Sequence, residues 1–291
     1  FTYGKAENWW GPVGQTGPCG PDSELFYDTL NLGPVADHAD DRAGACHPNC
    51  GCGRFVELGN DVFMEFNKTK ADTFESLAQK NVDNGRGLER FLMVLQGKDS
   101  VYETDLFAPI MERIRELAPT ENERSMRVIA DHLRAATFLI GDGVVPSNVE
   151  RGYVLRRLIR RAVRHGRTLG ITGNFTPQIA EVVIDHYTDR YPEFVERREV
   201  ILSELEKEEQ KFRRTLEAGL REFEKATRQT EQFTGADLFR LYETYGFPLE
   251  LSLEVAGDTD VKVSTAAQKE FEAALKSHQE RSRAGAEQKF A

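Results

Sequence analysis

The chain has 291 residues, which is enough for two domains with hydrophobic cores of their own. Its hydrophobic content of 40% and charged content of 30% are typical of a globular protein and exclude a disordered one. The net charge of −10 excludes a uniformly basic nucleic-acid coat, and no apolar run approaches the roughly 20 residues that a membrane span requires.

The start of the chain and its few cysteines add two expectations. The chain begins at Phe1, without an initiator methionine and without the charged-then-apolar segment of a signal peptide. We therefore expect a piece of a longer protein. Three of the four cysteines lie between Cys46 and Cys52, too few and too close for a disulfide framework. A reducing, cytoplasmic setting is expected.

The first 68 residues predict loops and strands. Residues 1–62 are rich in Gly, Pro and Asp and lack a helical period. The four glycines and three prolines of 11–28 predict a tight loop ahead of an acidic strand. This loop is either a rigid structural turn or a surface where a ligand approaches backbone N–H groups. In 54–68 we expect two antiparallel strands joined near Gly59-Asn60, with these positions buried: Phe55, Val56, Val62, Phe63 and Phe66.

Helical patterns dominate the rest of the chain. Residues 87–97 predict a helix closed by Gly97. Further helices are predicted over 127–143, 152–166, about 193–227, a segment ending at Gly246, and about 264–285 with a Ser264 cap. A composition shift near 115–126 divides the chain into predicted domains 1–118 and 119–291. The predicted fold class is α+β, with an antiparallel sheet followed by an all-helical domain.

Residues 46–52 (CHPNCGC) group three thiols and an imidazole within one short segment. The candidate ligands for a tetrahedral zinc ion are Cys46, His47, Cys50 and Cys52. The spacing is tighter than that of paired C-x-x-C knuckles, so a ligand from elsewhere, Cys19 or His38, is an option. The alternative is a loop of free thiols, although clustered cysteines in a cytosolic chain favour a metal.

Residues 82–91 (VDNGRGLERF) combine two glycines with an acid and two arginines. Gly85 and Gly87 allow unusual backbone angles or close packing. Asp83 is placed to take a cationic group, and Arg90 to contact a phosphate or a carboxylate. The alternative is the start of a helix with a surface pair formed by Glu89 and Arg90.

Residues 151–166 (RGYVLRRLIRRAVRHG) predict a strongly basic amphipathic helix. Its apolar residues face the core, and its arginines form stripes at i, i+4 spacing: Arg156, Arg160 and Arg164 in one, Arg157 and Arg161 in the other. Such a helix can place several guanidinium groups along a nucleic-acid backbone. The alternative is a solvated face neutralised by the glutamates of helix 193–227.

Seven collinear segments resemble the alanyl-tRNA synthetase family of class II aminoacyl-tRNA synthetases, and they cover nearly the whole chain. The segments are NWWGPVGQTGPCGPDSE, GNDVFMEFNK, VDNGRGLER, YETDLF, RVIADHLRAATFLIGDGVVPSN, RGYVLRRLIRRAVRHG and LYETYGFPLEL. The resemblance implies activation of alanine with ATP and Mg²⁺, followed by transfer of the alanyl group to tRNA(Ala).

The resemblance also implies roles for single residues. VDNGRGLER is similar to motif 3 of the class, which would place Arg90 by the γ-phosphate of ATP and Asp83 at the α-amino group of alanine. The small pocket for the alanine methyl group would be lined by Trp10, Asn60, Val62 and Gly85. Such a pocket rejects larger amino acids by sterics and discriminates poorly against glycine and serine.

The helical part resembles the family's tRNA-recognition domain, which reads a G·U pair in the acceptor stem through the minor groove. Glu243 and Asn148 are the candidates for that contact. The family's motif 1 and motif 2 would precede Phe1 and its editing domain would follow Ala291, so we expect the isolated piece to be inactive. Gly59 stands where the family usually has tryptophan, and Glu243 where aspartate is commoner.

Two other hypotheses stay open at the level of sequence. One is a stand-alone helical RNA-binding module that carries a degenerate synthetase remnant. The other makes 1–70 a zinc-stapled structural cap with no catalytic part.

Overall fold

A computed structural model describes residues 2–29, 46–50, 52–227, 232–258 and 261–290, apart from the side chains of 226, 227, 258 and 279–290. The chain forms two compact units, Phe1–Leu106 and Phe107–Ala291. The division predicted from the sequence, at 118/119, lies 12 residues after the structural division at 106/107. As a division of function it stays a prediction. Among the described helices, none is long and apolar enough to cross a membrane.

The first unit is built on a four-stranded antiparallel sheet with the strand order β1-β2-β3-β4. The strands are β1 (Trp9–Trp10), β2 (Gly17–Asp28), β3 (Phe55–Lys68) and β4 (Phe74–Arg86). The long central strands β2 and β3 pair along most of their length, with register shifts between Cys19 and Asp22 and between Leu25 and Phe26. The antiparallel sheet of the predicted α+β fold is confirmed.

The strand β3 runs through Gly59-Asn60 without a break, so the predicted turn between two strands at this point is wrong. Gly59 lies opposite Arg86 of β4, and Asn60 lies opposite Gly85. A Cβ atom on Gly59 would lie 2.1 Å from the carbonyl oxygen of Gly85. Gly59 therefore permits a close approach of the β3 and β4 backbones. Such an approach is a common reason for a glycine inside a strand.

Two adjacent apolar residues of β3 differ sharply in burial, as expected when neighbouring side chains of a strand point to opposite faces. Val62 is only 2% exposed, as predicted, whereas its neighbour Phe63 is 46% exposed. The prediction that Phe63 is buried is wrong, because adjacent residues of a strand point to opposite faces. Phe66 is half-buried and stacks on Trp9 with the ring centroids 5.8 Å apart.

The segment 82–91 is divided between two elements. Its first half ends β4, and its second half enters α1 (Leu88–Leu95), which begins after Gly87. The helix stops ahead of Gly97, which has a φ of 61°, as the sequence predicts. A 3-10 turn, Val101–Glu103, follows. The chain thus passes from strand to helix within the predicted motif.

The second unit is mainly helical. Its helices are α2 (Ala108–Leu117), α3 (Glu123–Gly141), α4 (Glu150–Thr168), α5 (Thr176–Tyr187), α6 (Glu193–Thr227), α7 (Gly235–Tyr245), α8 (Leu249–Asp258) and α9 (Thr265–Phe290). Two short parallel strands, β5 (Gln232–Phe233) and β6 (Lys262–Val263), also pair there, although the sequence predicted helices alone.

Capping residues set the helix ends of this unit. Ser264 caps α9, its hydroxyl accepting a hydrogen bond from the Ala267 N–H at 3.1 Å. Thr234 and Asp237 form a reciprocal capping box at the start of α7. At the end of α7, Gly246 has a φ of 71°, a left-handed conformation that favours glycine. The predicted helix ends at Ser264 and Gly246 are confirmed.

The core of the helical unit lies between α3, α4, α5 and α6. Its fully buried side chains include Ile129, Leu133, Leu155, Ile159, Ile184, Ile201 and Leu205. A buried carboxylate also takes part, because Glu209 of α6 accepts hydrogen bonds from the backbone N–H of Thr176 at 2.9 Å and from its hydroxyl at 2.7 Å. This contact fixes the start of α5 against α6, since buried N–H groups at a helix start need an acceptor.

Candidate functional site

The sheet brings together most of the predicted alanine-binding residues. Asn60 and Gly85 lie opposite each other on β3 and β4, and Val62 lies opposite Asp83. A Cβ atom added to Gly85 would lie 3.1 Å from Oδ1 of Asn60, so the two positions are in close contact. Val62 is buried, while Asp83 is exposed. The resulting patch combines a buried methyl-bearing side chain with an accessible carboxylate.

Trp10 lies further along the sheet, opposite Gly20 on β2. Its neighbour Trp9 packs against Phe66 and Phe74, with ring centroids 5.8 and 5.6 Å apart. The ammonium of Lys5 lies 3.9 Å from the Trp9 ring centroid. The short strand β1 is therefore anchored by Trp9, and Trp10 is placed by that anchor.

Arg90 lies in the first turn of α1 and reaches back to β3. Its Nη1 donates to the backbone carbonyl of Glu57 at 2.8 Å and to Oε2 of the same residue at 2.9 Å. The partner is thus 33 residues away rather than the neighbouring Glu89 that the sequence suggested. About half of the Arg90 side chain stays exposed, so this guanidinium is oriented and still accessible.

Arg86 is a residue of this patch that sequence reasoning missed. Its guanidinium donates to the Asn60 carbonyl at 2.9 Å and to Oδ1 of Asp61 at 3.1 Å. It therefore fixes the backbone of a predicted alanine-binding residue. The signal is a charge pair across two strands, which becomes visible only when the register of β3 and β4 is known.

Acidic side chains line the neighbouring part of the sheet. Burial raises the pKa of Asp22 and of Glu24, and the nearby Glu57 carboxylate raises both further. Asp22 and Glu24 also line a cavity of about 630 Å³, together with Tyr3 and Asn8. Sequence reasoning noted only an acidic strand here.

Three of the predicted metal ligands converge. The Sγ atoms of Cys46, Cys50 and Cys52 lie within 4.8 Å of one another, and the Cys46–Cys52 distance is 3.4 Å. Burial and the neighbouring thiols raise the pKa of Cys46 to about 11. Crowded thiols of this kind fit a thiophilic cation such as zinc, which binds them as thiolates.

The other proposed ligands are placed differently. His47 is buried outside this three-thiol group, and its Nδ1 lies 3.1 Å from the Tyr3 hydroxyl. Cys19 is buried on β2, also outside the group. His38 lies outside the described residues. The described residues therefore provide three thiol ligands from the predicted cluster.

In the helical unit, the arginines of α4 form ion pairs with carboxylates of α6 and α8. Glu208 of α6 accepts from Arg160 at 2.6 Å and lies 3.2 Å from Nε of Arg156. On α8, Glu250 pairs with Arg157, and Glu254 lies 3.2 Å from Arg161. The sequence suggested that glutamates of 193–227 (α6) neutralise the arginines of α4. The structure shows that α6 supplies only part of this negative charge and that α8 supplies the rest of these pairs.

The five predicted RNA-contacting arginines differ widely in exposure. Arg160 is 7% exposed, and burial lowers its pKa. Its Nη1 donates to the Gly246 carbonyl at 2.5 Å. Arg156 and Arg164 are also largely buried, whereas the side chains of Arg157 and Arg161 are 34% and 28% exposed. Arg157 and Arg161 line an open groove of about 550 Å³ with Arg124 and His132.

Glu254 is the centre of the ion-pair network between α8 and α4. Its carboxylate lies 2.9 Å from Nε2 of His165 and 3.6 Å from Arg164, in addition to Arg161. Burial pushes the pKa of Glu254 up, but the hydrogen bonds from His165 and Arg161 pull it down to about 2. Glu254 is therefore ionised in the folded protein and holds α8 against the arginine helix.

Asn148 and Glu243, the two predicted G·U-reading residues, line one cavity of about 200 Å³. Asn148 precedes α4, and its Oδ1 accepts from Arg156. Glu243 lies in the last turn of α7, 3.7 Å from Nδ1 of His278 on α9. The cavity is also lined by Lys211 and Thr215 of α6 and by Tyr242 of α7. The fold thus brings together two residues that are 95 positions apart.

Comparisons with known proteins identify the family of the chain. The model of the family "tRNA synthetases class II (A)" matches residues 1–291. The chain belongs to the class II tRNA synthetases. Within them it is similar to alanine–tRNA ligases, which favours that interpretation over a stand-alone RNA-binding module.

Three relatives illustrate this similarity. The alanine–tRNA ligase of Treponema pallidum is 46% identical over 299 residues, covering 98% of this chain and 48% of the relative. That of Treponema denticola is 46% identical and covers 100% of this chain and 49% of the relative. That of a Thermotoga species is 45% identical, with 97% and 32% coverage. The chain spans about half the length of the Treponema relatives and a third of the Thermotoga one.

The depressed pKa of Glu254 predicts an acid-sensitive contribution to stability. The contribution is present above the usual glutamate pKa of 4.5 and is lost as the pH falls from there towards about 2. We expect Glu254→Gln to lower the melting temperature at pH 7 and to make the difference from the unmutated protein shrink across this window. Thermal unfolding followed by circular dichroism between pH 2 and pH 7 measures it. A constant difference would contradict the assignment, and Glu217→Gln, an exposed partner of Arg167, is the control.

Proposed function

We propose that the natural full-length protein is an alanine–tRNA ligase, to which this chain contributes part of the catalytic site and the tRNA-recognising helices. The observation that carries the proposal is the 46% identity to Treponema alanine–tRNA ligases over nearly the whole chain. We assign the catalytic part to 1–118 and tRNA recognition to 119–291, and we place the protein in the cytoplasm.

The proposed reaction has two steps. A carboxylate oxygen of alanine attacks the α-phosphorus of ATP, forming alanyl-adenylate and releasing pyrophosphate with its Mg²⁺. A ribose hydroxyl at the end of tRNA(Ala) then attacks the alanyl carbonyl carbon and releases AMP. The protein accelerates both steps mainly by holding the reactants in position and by stabilising charge around the phosphates.

We place alanine against the patch on β3 and β4. The carboxylate of Asp83 is the acceptor for the α-ammonium group, and the buried Val62 across the strand pair contacts the methyl group. Asn60 and Gly85 form the adjoining wall, and Trp10 borders the pocket. Gly85 matters here because a side chain at that position would press against the Asn60 amide.

We place the γ-phosphate of ATP at Arg90. The exposed half of this guanidinium can form paired hydrogen bonds with phosphate oxygens while Glu57 holds the remainder. The Glu57 contacts also restrict the rotamers of Arg90 in advance, so less conformational entropy is lost when ATP binds.

We expect Arg90→Ala in the full-length protein to lower alanine-dependent ATP–pyrophosphate exchange by orders of magnitude and to leave tRNA affinity nearly unchanged. The measurements are the exchange rate and tRNA binding in parallel. Lys80→Ala is the matched control, since it removes an exposed cation from β4 that pairs with Glu65. Weakened tRNA binding with normal exchange would contradict the role of Arg90. An unmutated protein with no alanine-dependent exchange would refute the proposed function itself.

For the tRNA we propose a division of roles among the arginines of α4. Arg157 and Arg161, the more exposed pair that lines the groove beside α8, contact phosphates of the acceptor stem. Arg156, Arg160 and Arg164 are largely buried in ion pairs and position the helix. Asn148 and Glu243 face the G·U pair in the minor groove, where donors and acceptors of RNA are accessible.

Salt dependence tests this division. Replacing Arg157 and Arg161 with alanine should weaken tRNA binding and lower the slope of log affinity against log salt by about one for each lost phosphate contact. Arg167→Ala, on the same helix and paired with Glu217, should leave the slope unchanged. An unchanged slope in the double variant would show that these arginines serve the protein fold alone. Circular dichroism of each variant checks that the helical content and the melting temperature are retained.

We propose zinc as the metal of the Cys46, Cys50 and Cys52 cluster. The Sγ atoms already lie at separations close to those of thiolates around one tetrahedral ion, whose zinc–sulfur bonds are about 2.3 Å. The cluster lies just ahead of β3, so a bound ion would fix the entry of the chain into the central strand. Its chemistry would be structural, since no substrate group is assigned to it.

Metal analysis of the purified full-length protein, compared with single cysteine variants, tests this site. We expect zinc in the unmutated protein, loss of one equivalent in Cys50→Ser, and retention in Cys19→Ser, a buried cysteine outside the cluster. With Co²⁺ in place of zinc, thiolate charge-transfer absorption should appear in the unmutated protein and weaken in Cys50→Ser. Equal metal content in the unmutated protein and Cys50→Ser would rule the site out.

A further inference from the structure

The groove beside α8 holds a cation that the arginine stripes of α4 do not supply. Arg124, in the first turn of α3, lines this groove together with Arg157 and Arg161 of α4. Its side chain is 72% exposed, compared with 34% for Arg157 and 28% for Arg161. Arg124 is therefore the most accessible of the three arginines that line the groove.

The backbone at Arg124 is fixed although its side chain is exposed. The next residue, Ser125, is buried, and its N–H donates to the Asn122 side chain that caps α3 at 2.9 Å. The Ser125 hydroxyl lies 3.0 Å from Nδ1 of the buried His165 on α4. These contacts hold the first turn of α3 against α4, so the fold sets the point from which the Arg124 side chain starts.

The ion pair that Arg124 forms is weak. Among the described residues its acidic partner is Glu254, at 3.7 Å, a separation too long for a hydrogen bond. The same carboxylate lies 2.9 Å from Nε2 of His165 and 3.2 Å from Nε of Arg161. Because two closer donors already engage Glu254, Arg124 has no close partner for its charge there. An exposed pair of this kind adds little to stability.

The position of Arg124 in the helix gives it no structural advantage. Positive charge near the start of a helix is unfavourable, because the helix dipole makes that end positive. Arginine is also no better than alanine as a helix former. The contribution of Arg124 to stability is therefore small or negative, and a role in the fold does not account for a cation at this exposed position.

The charges of the groove favour an anionic ligand. Three guanidinium groups line it, against two carboxylates, those of Glu250 and Glu254. One positive charge is left over, in a chain whose net charge is −10. A guanidinium can donate two parallel hydrogen bonds to phosphate oxygens, and its charge offsets theirs. A phosphate group therefore fits the chemistry of this groove.

We propose that Arg124 binds a backbone phosphate of the tRNA acceptor stem, as a third phosphate-contacting arginine beside Arg157 and Arg161. The inference rests on the proposed tRNA recognition and deepens it. Arg157 and Arg161 each share their guanidinium with an acid of α8, whereas Arg124 binds a phosphate without giving up a hydrogen-bonded carboxylate. Two helices, α3 and α4, then contact the RNA backbone at the same groove.

The test compares the full-length protein with its Arg124→Ala variant in binding to an RNA duplex of the tRNA(Ala) acceptor-stem sequence over a range of salt. Loss of one phosphate contact should lower the slope of log affinity against log salt by about 0.9, which corresponds to about 5-fold weaker binding at about 0.15 M salt. Arg124→Lys should retain the slope, because it keeps the charge. The preference for G·U over G·C should stay the same, since a phosphate contact carries no sequence information.

Arg127→Ala is the matched control. This arginine lies three residues further along α3, pairs with Glu123 at 2.9 Å and does not line the groove. Its loss should leave the salt slope unchanged. The melting temperature of Arg124→Ala should equal or exceed that of the unmutated protein, because no close ion pair is lost and alanine favours the helix.

Single methylphosphonate linkages, which carry no charge, locate the phosphate along the duplex. At the linkage that Arg124 contacts, the unmutated protein and Arg124→Ala should bind the substituted duplex equally. A difference in affinity that survives at every linkage would contradict a backbone contact.

Two further results would overturn the inference. One is an unchanged salt slope in Arg124→Ala. The other is a site for free phosphate alone, in which inorganic phosphate raises the melting temperature of the unmutated protein but not of Arg124→Ala, and both bind the duplex equally. Failure of the underlying function looks different, because the unmutated protein itself would then not distinguish the G·U duplex from the same duplex with G·C.

Discussion

The helical unit depends on the neutralisation of one helix. The α4 segment carries seven arginines beside a row of buried apolar residues, and acids on α6 and α8 meet several of its charges. Glu208 and Glu254 supply this compensation from opposite neighbours. Removing one partner of a buried ion pair costs about 3–5 kcal/mol, because the other charge stays behind without compensation. The position of α4 is therefore set by charge as much as by its apolar stripe.

This constraint limits what the basic helix can offer to RNA. A guanidinium that is buried with a carboxylate contributes little field at the surface, because the pair is close to neutral and has lost its solvent exposure. Among the five predicted RNA-contacting arginines, Arg157 and Arg161 keep the most exposure, although each also pairs with an acid of α8. The buried members, Arg160 above all, place the end of α7 and with it the polar cavity. The arginines of one sequence motif thus differ in exposure, and the buried ones serve the architecture of the helical unit.

Local sequence signals predicted several helix ends of the helical unit. Features that depend on pairing between distant residues could not be predicted in this way. The end of α7 at Gly246 and the cap at Ser264 follow from neighbouring residues, so the sequence predicts them. The glycine at 59 has two physical uses, a turn or a close strand contact, and only the position of β4 decides between them. The carboxylates that meet α4 lie 48 to 93 residues away, so the exposure of each arginine could not be deduced from its spacing. The convergence of Asn148 and Glu243 came from family resemblance and had no local signal.

The contact between Arg160 and Gly246 has a consequence for how the sequence can vary. A Cβ atom at position 246 would lie 2.2 Å from Nη1 of Arg160, and the left-handed backbone there already disfavours other residues. A side chain at 246 therefore displaces the Arg160 guanidinium, and this movement disturbs the ion pair of Arg160 with Glu208. Positions 160, 208 and 246 are thus coupled by direct contacts, and a change at one of them is felt at the other two.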